Sequence, residues 1–173
     1  YFDKNQIDKI VQIAKKCPRA KFFFIGGSKK SLNALKRKIN RLQRVSPKNV
    51  KFSMILDDDL FRSSLMNASM FISLNDRKFE SISIIEAMAA KDEIFVLSSH
   101  EHNPDYLSNL VHFAKNIDEI TNSINEFLDG TLKSTIEPAY LYAKSNSLYL
   151  NGQQLKKYYL DLYKSKGEKR WLI

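Results

Sequence analysis

Ser73-Leu-Asn-Asp-Arg-Lys-Phe-Glu-Ser-Ile-Ser-Ile-Ile-Glu-Ala-Met-Ala89, with Ile94-Phe-Val-Leu-Ser-Ser99 following closely, is the stretch that decides the fold. Met70 to Leu74 is an apolar run of strand length, and it ends in the polar segment Asn75 to Glu80. Ser81 then opens a helix through Ala90, with Ile82, Ile84, Ile85 and Met88 as its packing residues, and Glu93 to Leu97 is the next strand-length run. Strand, helix and strand in this order read as one parallel crossover unit.

The same alternation extends outward from it, the signature of a parallel α/β sheet. On the N-terminal side, Asn5 to Lys16 carries Ile7, Ile10, Val11 and Ala14 at helical spacing and stops before Pro18. Ala20 to Ile25 is a strand closed by Gly26-Gly27-Ser28, and Leu32, Leu35, Ile39 and Leu42 mark a second amphipathic helix. Val50 to Leu56 reads as a strand, and Asp57, Asp58 and Asp59 stand where acids favour a helix N-terminus. On the C-terminal side, Leu110 to Phe113 is expected as a fifth strand, and Ile117 to Leu128 as a helix capped by Gly130. Pro138 precedes a long helical tail, 139–164, in which Leu148, Leu155, Tyr158, Tyr159, Leu162 and Tyr163 recur at roughly helical intervals. Such a tail packs across its own domain or back onto a partner domain. The expected architecture is α/β, a parallel sheet with helices on both faces, with 1–173 as a single domain.

With 173 residues, 43% of them apolar and 12% aromatic, the chain can bury one good core. No apolar run approaches the roughly 18 to 20 residues that span a bilayer. Tyr1 follows no initiator Met and no signal segment, so the chain reads as a piece of a longer protein. The lone Cys17 suits a reducing compartment, and the cytoplasm is the expected location. The net charge of +9 is spread through Lys29 to Arg44, Lys156 to Lys157 and Lys164 to Arg170. A solvated surface is the first reading of that charge, and peripheral contact with an anionic membrane, at its inner face, is the second. Nucleic acid is not expected, because there is no zinc-finger spacing and no RRM-type aromatic motif.

The Ser73 to Ala89 stretch resembles the signature of the retaining family 4 glycosyltransferases, in which a strand ending in Ser leads to a Glu, seven residues, Glu pattern running into Glu-Ala-Met-Ala. The resemblance extends over most of the chain. Asp3-Lys4 is similar to the family's Lys at the opening of the first helix, Phe22 to Gly27 to its strand ending in glycines, and Asn49-Val50-Lys51-Phe52 to its Val-x-Phe strand. Met66 to Ile72 resembles its Ala-Asp-x-Phe step, and the tail with Leu155 and Tyr158 to Tyr163 its closing helix. The resemblance implies the C-terminal, Rossmann-like half of a GT-B fold, with an acceptor-binding N-terminal domain missing. It implies transfer of a sugar from a nucleotide diphosphate sugar to an acceptor with retention, no cofactor beyond that donor, and no activity from this piece alone.

It also implies the site. Free amides at Ser81 and Ile82 would cradle the diphosphate at a helix N-terminus, and Glu86 would accept hydrogen bonds from the ribose hydroxyls. Lys4 would neutralise the leaving diphosphate beside an Arg upstream of Tyr1, and the base would rest on backbone around Met54. Plainer roles are open to the same residues. Glu86 alone would be a solvent-facing helix residue, Lys4 near a terminus is as readily frayed, and Gly26-Gly27 is a strand-ending turn rather than a phosphate loop because the full glycine fingerprint is lacking. His100-Glu101-His102 lacks a third ligand, so no metal site is expected, and His112 reads as packing or surface.

Two positions depart from the family pattern. Lys78 stands eight residues before Glu86, where the family has the first acid, which contacts the donor sugar; Glu80 and Asp76 flank it. Lys91-Asp92-Glu93 stands in place of Gly-x-Pro. These departures bear on donor choice and activity, and they keep open a second reading, a non-catalytic glycosyltransferase-like module that assists an active subunit. A nucleotide-sugar epimerase and a doubly wound signalling domain are more distant alternatives.

Overall fold

A computed structural model describes residues 4–25, 32–53, 58–74, 82–98 and 107–165. Among these residues seven helices and five short strands follow in the order α1 (Lys4–Lys16), β1 (Phe22–Ile25), α2 (Leu32–Val45), β2 (Val50–Ser53), α3 (Asp58–Met66), β3 (Met70–Ser73), α4 (Ile82–Ala89), β4 (Glu93–Leu97), β5 (His112–Ala114), α5 (Ile117–Asp129), α6 (Ile136–Ser145) and α7 (Leu148–Ser165). Every strand pairing among the described residues is parallel: β1 with β2 (Phe22 opposite Val50), β3 with β4 (Met70 opposite Glu93), and β4 with β5 (Phe95 opposite His112).

β4 is the central strand, buried along its whole length, and its alternating side chains serve two cores. Phe95 and Leu97 join one with Ile7, Ile10 and Ile13 of α1, Phe22, Val50 and Phe52 of β1 and β2, and Ile120 and Ile124 of α5. Ile94 and Val96 face the other with Leu65 of α3, Ile84, Ala87 and Met88 of α4, and Ala139 and Ala143 of α6. Helices therefore cover both faces, as the period-two burial of a parallel strand requires.

The strands do not form one continuous sheet. Among the described residues β1 and β2 form a two-stranded sheet and β3, β4 and β5 a three-stranded one, where a single parallel sheet was expected. Both β1 and β3 line an open cleft of about 1110 Å³. Accordingly, β3 is only half-buried at Met70, Phe71 and Ile72, and Phe23 of β1 is 44% exposed, with Lys51 Nζ 5.7 Å from its ring centre.

Side chains fasten the smaller sheet. Asn49 Nδ2 donates to the carbonyls of Ala14, Cys17 and Ala20 at 3.0, 3.1 and 3.0 Å, which ties the entrance of β2 to the end of α1. Gln43 of α2 donates to the Val50 carbonyl and accepts from the Phe52 amide, occupying positions on β2 that a neighbouring strand would otherwise fill. Lys16 of α1 pairs with Asp118, and Arg19 in the turn after it with Asp129 at 2.7 Å, joining α1 and that turn to α5.

Toward the C-terminus the element boundaries differ from expectation. The fifth strand is His112–Ala114, because Leu110 and Val111 are buried in the preceding turn and not in a ladder. The C-terminal helical stretch is two helices, broken at Asn146 and Ser147, and Pro138 lies inside the first turn of α6, where the missing amide hydrogen costs nothing. Gly130 caps α5 as expected, in the left-handed region at φ 72°, with Asn116 accepting from the Glu119 amide at the other end.

Candidate functional site

α4 follows the C-terminal end of β3, so its N-terminus stands at the ligand-binding edge of an open α/β sheet. The first amides of any helix have no intrahelical acceptor, and the helix dipole places partial positive charge there. Ile82, the first residue of α4, is 71% exposed, a correction to its expected packing role; Ile84 and Met88 do pack, and Ile85 is half-buried. Glu86 lies four residues on, on the same face as Ile82, and helical side chains lean toward the N-terminus. Helix geometry therefore directs the Glu86 side chain toward the first turn. It is half-buried and has no side-chain hydrogen bond or ion pair among the described residues, while its backbone carbonyl accepts from the Ala90 amide. Folding makes no use of this carboxylate that the structure records.

Of the other expected site residues, Met54, Lys78, Glu80 and Ser81 lie outside the described residues, as do Gly26-Gly27 and His100-Glu101-His102. Lys4 begins α1, and its side chain also lies outside the described set. Among the described residues no group of three or more His, Cys, Asp or Glu could hold a metal ion.

The far end of α4 carries the departure noted at Lys91-Asp92-Glu93. The Asp92 amide bonds to the Ala87 carbonyl at 3.1 Å and the Lys91 amide to the Met88 carbonyl at 3.2 Å, the double closure of a helix that is terminated by a left-handed residue just past its end. That residue is Lys91, at φ 65°, where the resembling family has Gly. Its ammonium sits 4.4 Å from the ring centre of Tyr140 on α6. Asp92 is buried, both its oxygens lack partners among the described residues, and burial pushes its pKa up to about 6.

Glu93 is a buried hub that sequence reasoning missed. Burial opposes its charge, but hydrogen bonds from the Thr135 amide, the Thr135 and Ser134 hydroxyls and His112 outweigh that and hold the carboxyl below its ordinary range. No local signal could have found it, since Thr135 is 42 residues away. His112, expected as packing or surface, both bonds Glu93 and stacks on Phe95.

No protein-family model matches this chain, and no curated protein sequence matches it significantly. Among solved structures it is similar to the pneumococcal O-GlcNAc transferase GtfA in complex with UDP and GlcNAc, with a TM-score of 0.56 and 12% identity. The chain has a GT-B glycosyltransferase-like fold. The match covers 90% of this chain and 31% of that one, so the chain spans about a third of its neighbour's length. Among the described residues no helix is long and apolar enough to cross a membrane.

Proposed function

We propose that this chain is the donor-binding half of a retaining glycosyltransferase resembling family 4, taking a nucleotide diphosphate sugar at the N-terminus of α4. The observation that carries this reading is the half-buried Glu86 carboxylate, one turn inside α4 and without a side-chain partner among the described residues, in a GT-B-like fold. A ribose offers two vicinal hydroxyls to such a carboxylate, and a diphosphate suits the amides of Ser81 and Ile82. Lys4 would offset leaving-group charge, Met54 would lie by the base, and Lys78 with Glu80 would face the sugar. In such transfer the protein orients donor and acceptor and stabilises the departing diphosphate. The acceptor would be held by an N-terminal domain of the same protein. Leu155, Tyr158 and Tyr159, each more than half exposed on α7, offer that domain an apolar surface.

Lys78 in place of an acid, and Lys91-Asp92-Glu93 in place of Gly-x-Pro, favour the second reading, a non-catalytic module that retains the fold. Calorimetric titration with uridine, guanosine and adenosine diphosphates separates the two. Saturable binding of one nucleotide supports the donor site, and no binding of any makes the non-catalytic module the better account.

A further inference from the structure

Between Asp8 and Asp57 the sequence contains no Asp or Glu, and this stretch holds half of the chain's 28 Lys and Arg residues. α2 lies within it. Ile39 and Leu42 pack against the core and Gln43 is bonded to β2, so the helix is fixed in rotation. Arg37, Arg41 and Arg44 recur at intervals of four and three on the opposite side, exposed, and border an open depression with Asn40 and Val45. At 1.5 Å per residue the stripe runs roughly 10 Å. Exposed Lys48, four residues past Arg44, continues the positive charge beyond the helix end.

We propose that the outer face of α2 is a docking surface for anionic lipid headgroups. Charge complementarity selects this occupant. A lipid surface asks only for a row of cations with no acid interspersed, and the acid-free stretch supplies it. Single-stranded nucleic acid would also want aromatic side chains on which bases stack, and α2 contains no Phe, Tyr or Trp. A folded protein partner would meet, among the described residues of this face, no acceptor side chain other than Asn40. The surface is independent of the donor site, so the two stand or fall separately.

The test is co-sedimentation with vesicles of phosphatidylcholine alone and of equal parts phosphatidylcholine and phosphatidylglycerol, at low and raised salt. Binding to the anionic vesicles only, weakened by salt, is expected. Each cation removed should lower partitioning about fivefold, equivalent to about 1 kcal/mol. Arg41→Gln/Arg44→Gln should therefore lose about twenty-fivefold and Arg41→Glu/Arg44→Glu more, with unchanged melting temperature and unchanged nucleoside diphosphate titration. Lys115→Glu/Lys133→Glu, which reverses two exposed cations elsewhere, serves as the control for net charge. An equal loss in that control, no binding to anionic vesicles, or tighter binding to polyuridylate than to the vesicles would each overturn the proposal.

Discussion

His112 Nε2 lies 2.8 Å from Oε1 of Glu93, across two neighbouring strands, and this contact closes a hydrogen-bonded knot at the start of β4. The same carboxylate receives the Ser134 hydroxyl at 2.8 Å, the Thr135 amide at 2.8 Å and the Thr135 hydroxyl at 2.7 Å, so one side chain fixes both β5 and the approach to α6. Removing a fully buried charge strands every donor aimed at it. Glu93→Ala is expected to cost about 3 to 5 kcal/mol, a melting temperature lower by roughly 10 °C for a domain of this size. Glu93→Gln, which keeps an acceptor, should lose less. Thermal melts followed by circular dichroism decide this, and a Glu93→Ala melting point equal to the parent's would contradict it.

Asp92 and Glu93 are adjacent, both buried, and titrate with opposite effects. The folded pKa of Asp92 is raised from 3.8 to about 6, so its protonated form favours the fold, and that stability is lost as pH rises through about 6. Glu93 is shifted the other way, so its contribution is present above its ordinary pKa of 4.5 and lost as pH falls. Asp92→Asn should accordingly stabilise the protein at pH 8, by up to about 3 kcal/mol from the size of the shift, and the gain should shrink toward zero near pH 4. Denaturant melts across this range provide the measurement, and a pH-independent difference between parent and variant would rule out the carboxyl as its source.

Lys91 holds a left-handed conformation that costs a residue with a Cβ about 1 kcal/mol relative to Gly. Its contact with Tyr140 returns about 0.5 to 1 kcal/mol. Lys91→Gly should therefore be neutral to slightly stabilising in the parent, and more clearly stabilising in a Tyr140→Leu background where the ring contact is already gone. Lys91→Val, β-branched in the same conformation, should destabilise by more than about 1 kcal/mol. The double-mutant cycle reads the coupling directly.

Asn49 donates to three carbonyls at once, an arrangement that needs an amide nitrogen at this spot. Asn49→Ala should cost about 1 to 3 kcal/mol. Asn49→Asp should cost more at neutral pH, because it points carboxylate oxygens at three other acceptors. If the Asp variant is the more stable of the two, the recorded geometry is not what holds the α1 end to β2.

Much of this architecture was legible because strands and helices advertise themselves by period and punctuation. Glu93–Leu97 was bounded correctly as an apolar run after a helix, and Gly130 marked the end of α5. Leu110 and Val111 misled, since an apolar pair can be buried in a turn as well as in a ladder. Nothing in residues 22–25 or 70–73 says whether two apolar strands touch or face each other across a cleft, because pairing is settled by the helices that hold each sheet. The Glu93 knot was hidden for a related reason: a carboxylate looks solvated until the donors that accompany it, remote in sequence, are placed. Glu86 stood out through the surrounding Glu-Ala-Met-Ala pattern and not through its own chemistry.

Glu86 offers the sharpest separation of function from folding. Its carboxylate is half-buried with no side-chain partner among the described residues, whereas Ile84, Ala87 and Met88 of the same helix are buried and carry the packing. Replacing it should leave the core intact, so Glu86→Ala is expected to keep the parent's melting temperature to within a few degrees. A hydrogen bond to a charged group is worth about 1.5 to 3 kcal/mol, so nucleoside diphosphate affinity should fall roughly ten- to a hundredfold. Glu86→Gln retains one acceptor and should lose less. Lys78→Ala should instead change discrimination between donor sugars while leaving the affinity for the bare diphosphate nearly unchanged, because that position is expected to face the sugar. Titration of the parent and the three variants with the nucleotide that binds, alongside thermal melts, tests the whole set. If Glu86→Ala binds that nucleotide as tightly as the parent, the ribose is held elsewhere; if it binds more weakly only because it melts at a much lower temperature, Glu86 is a structural residue.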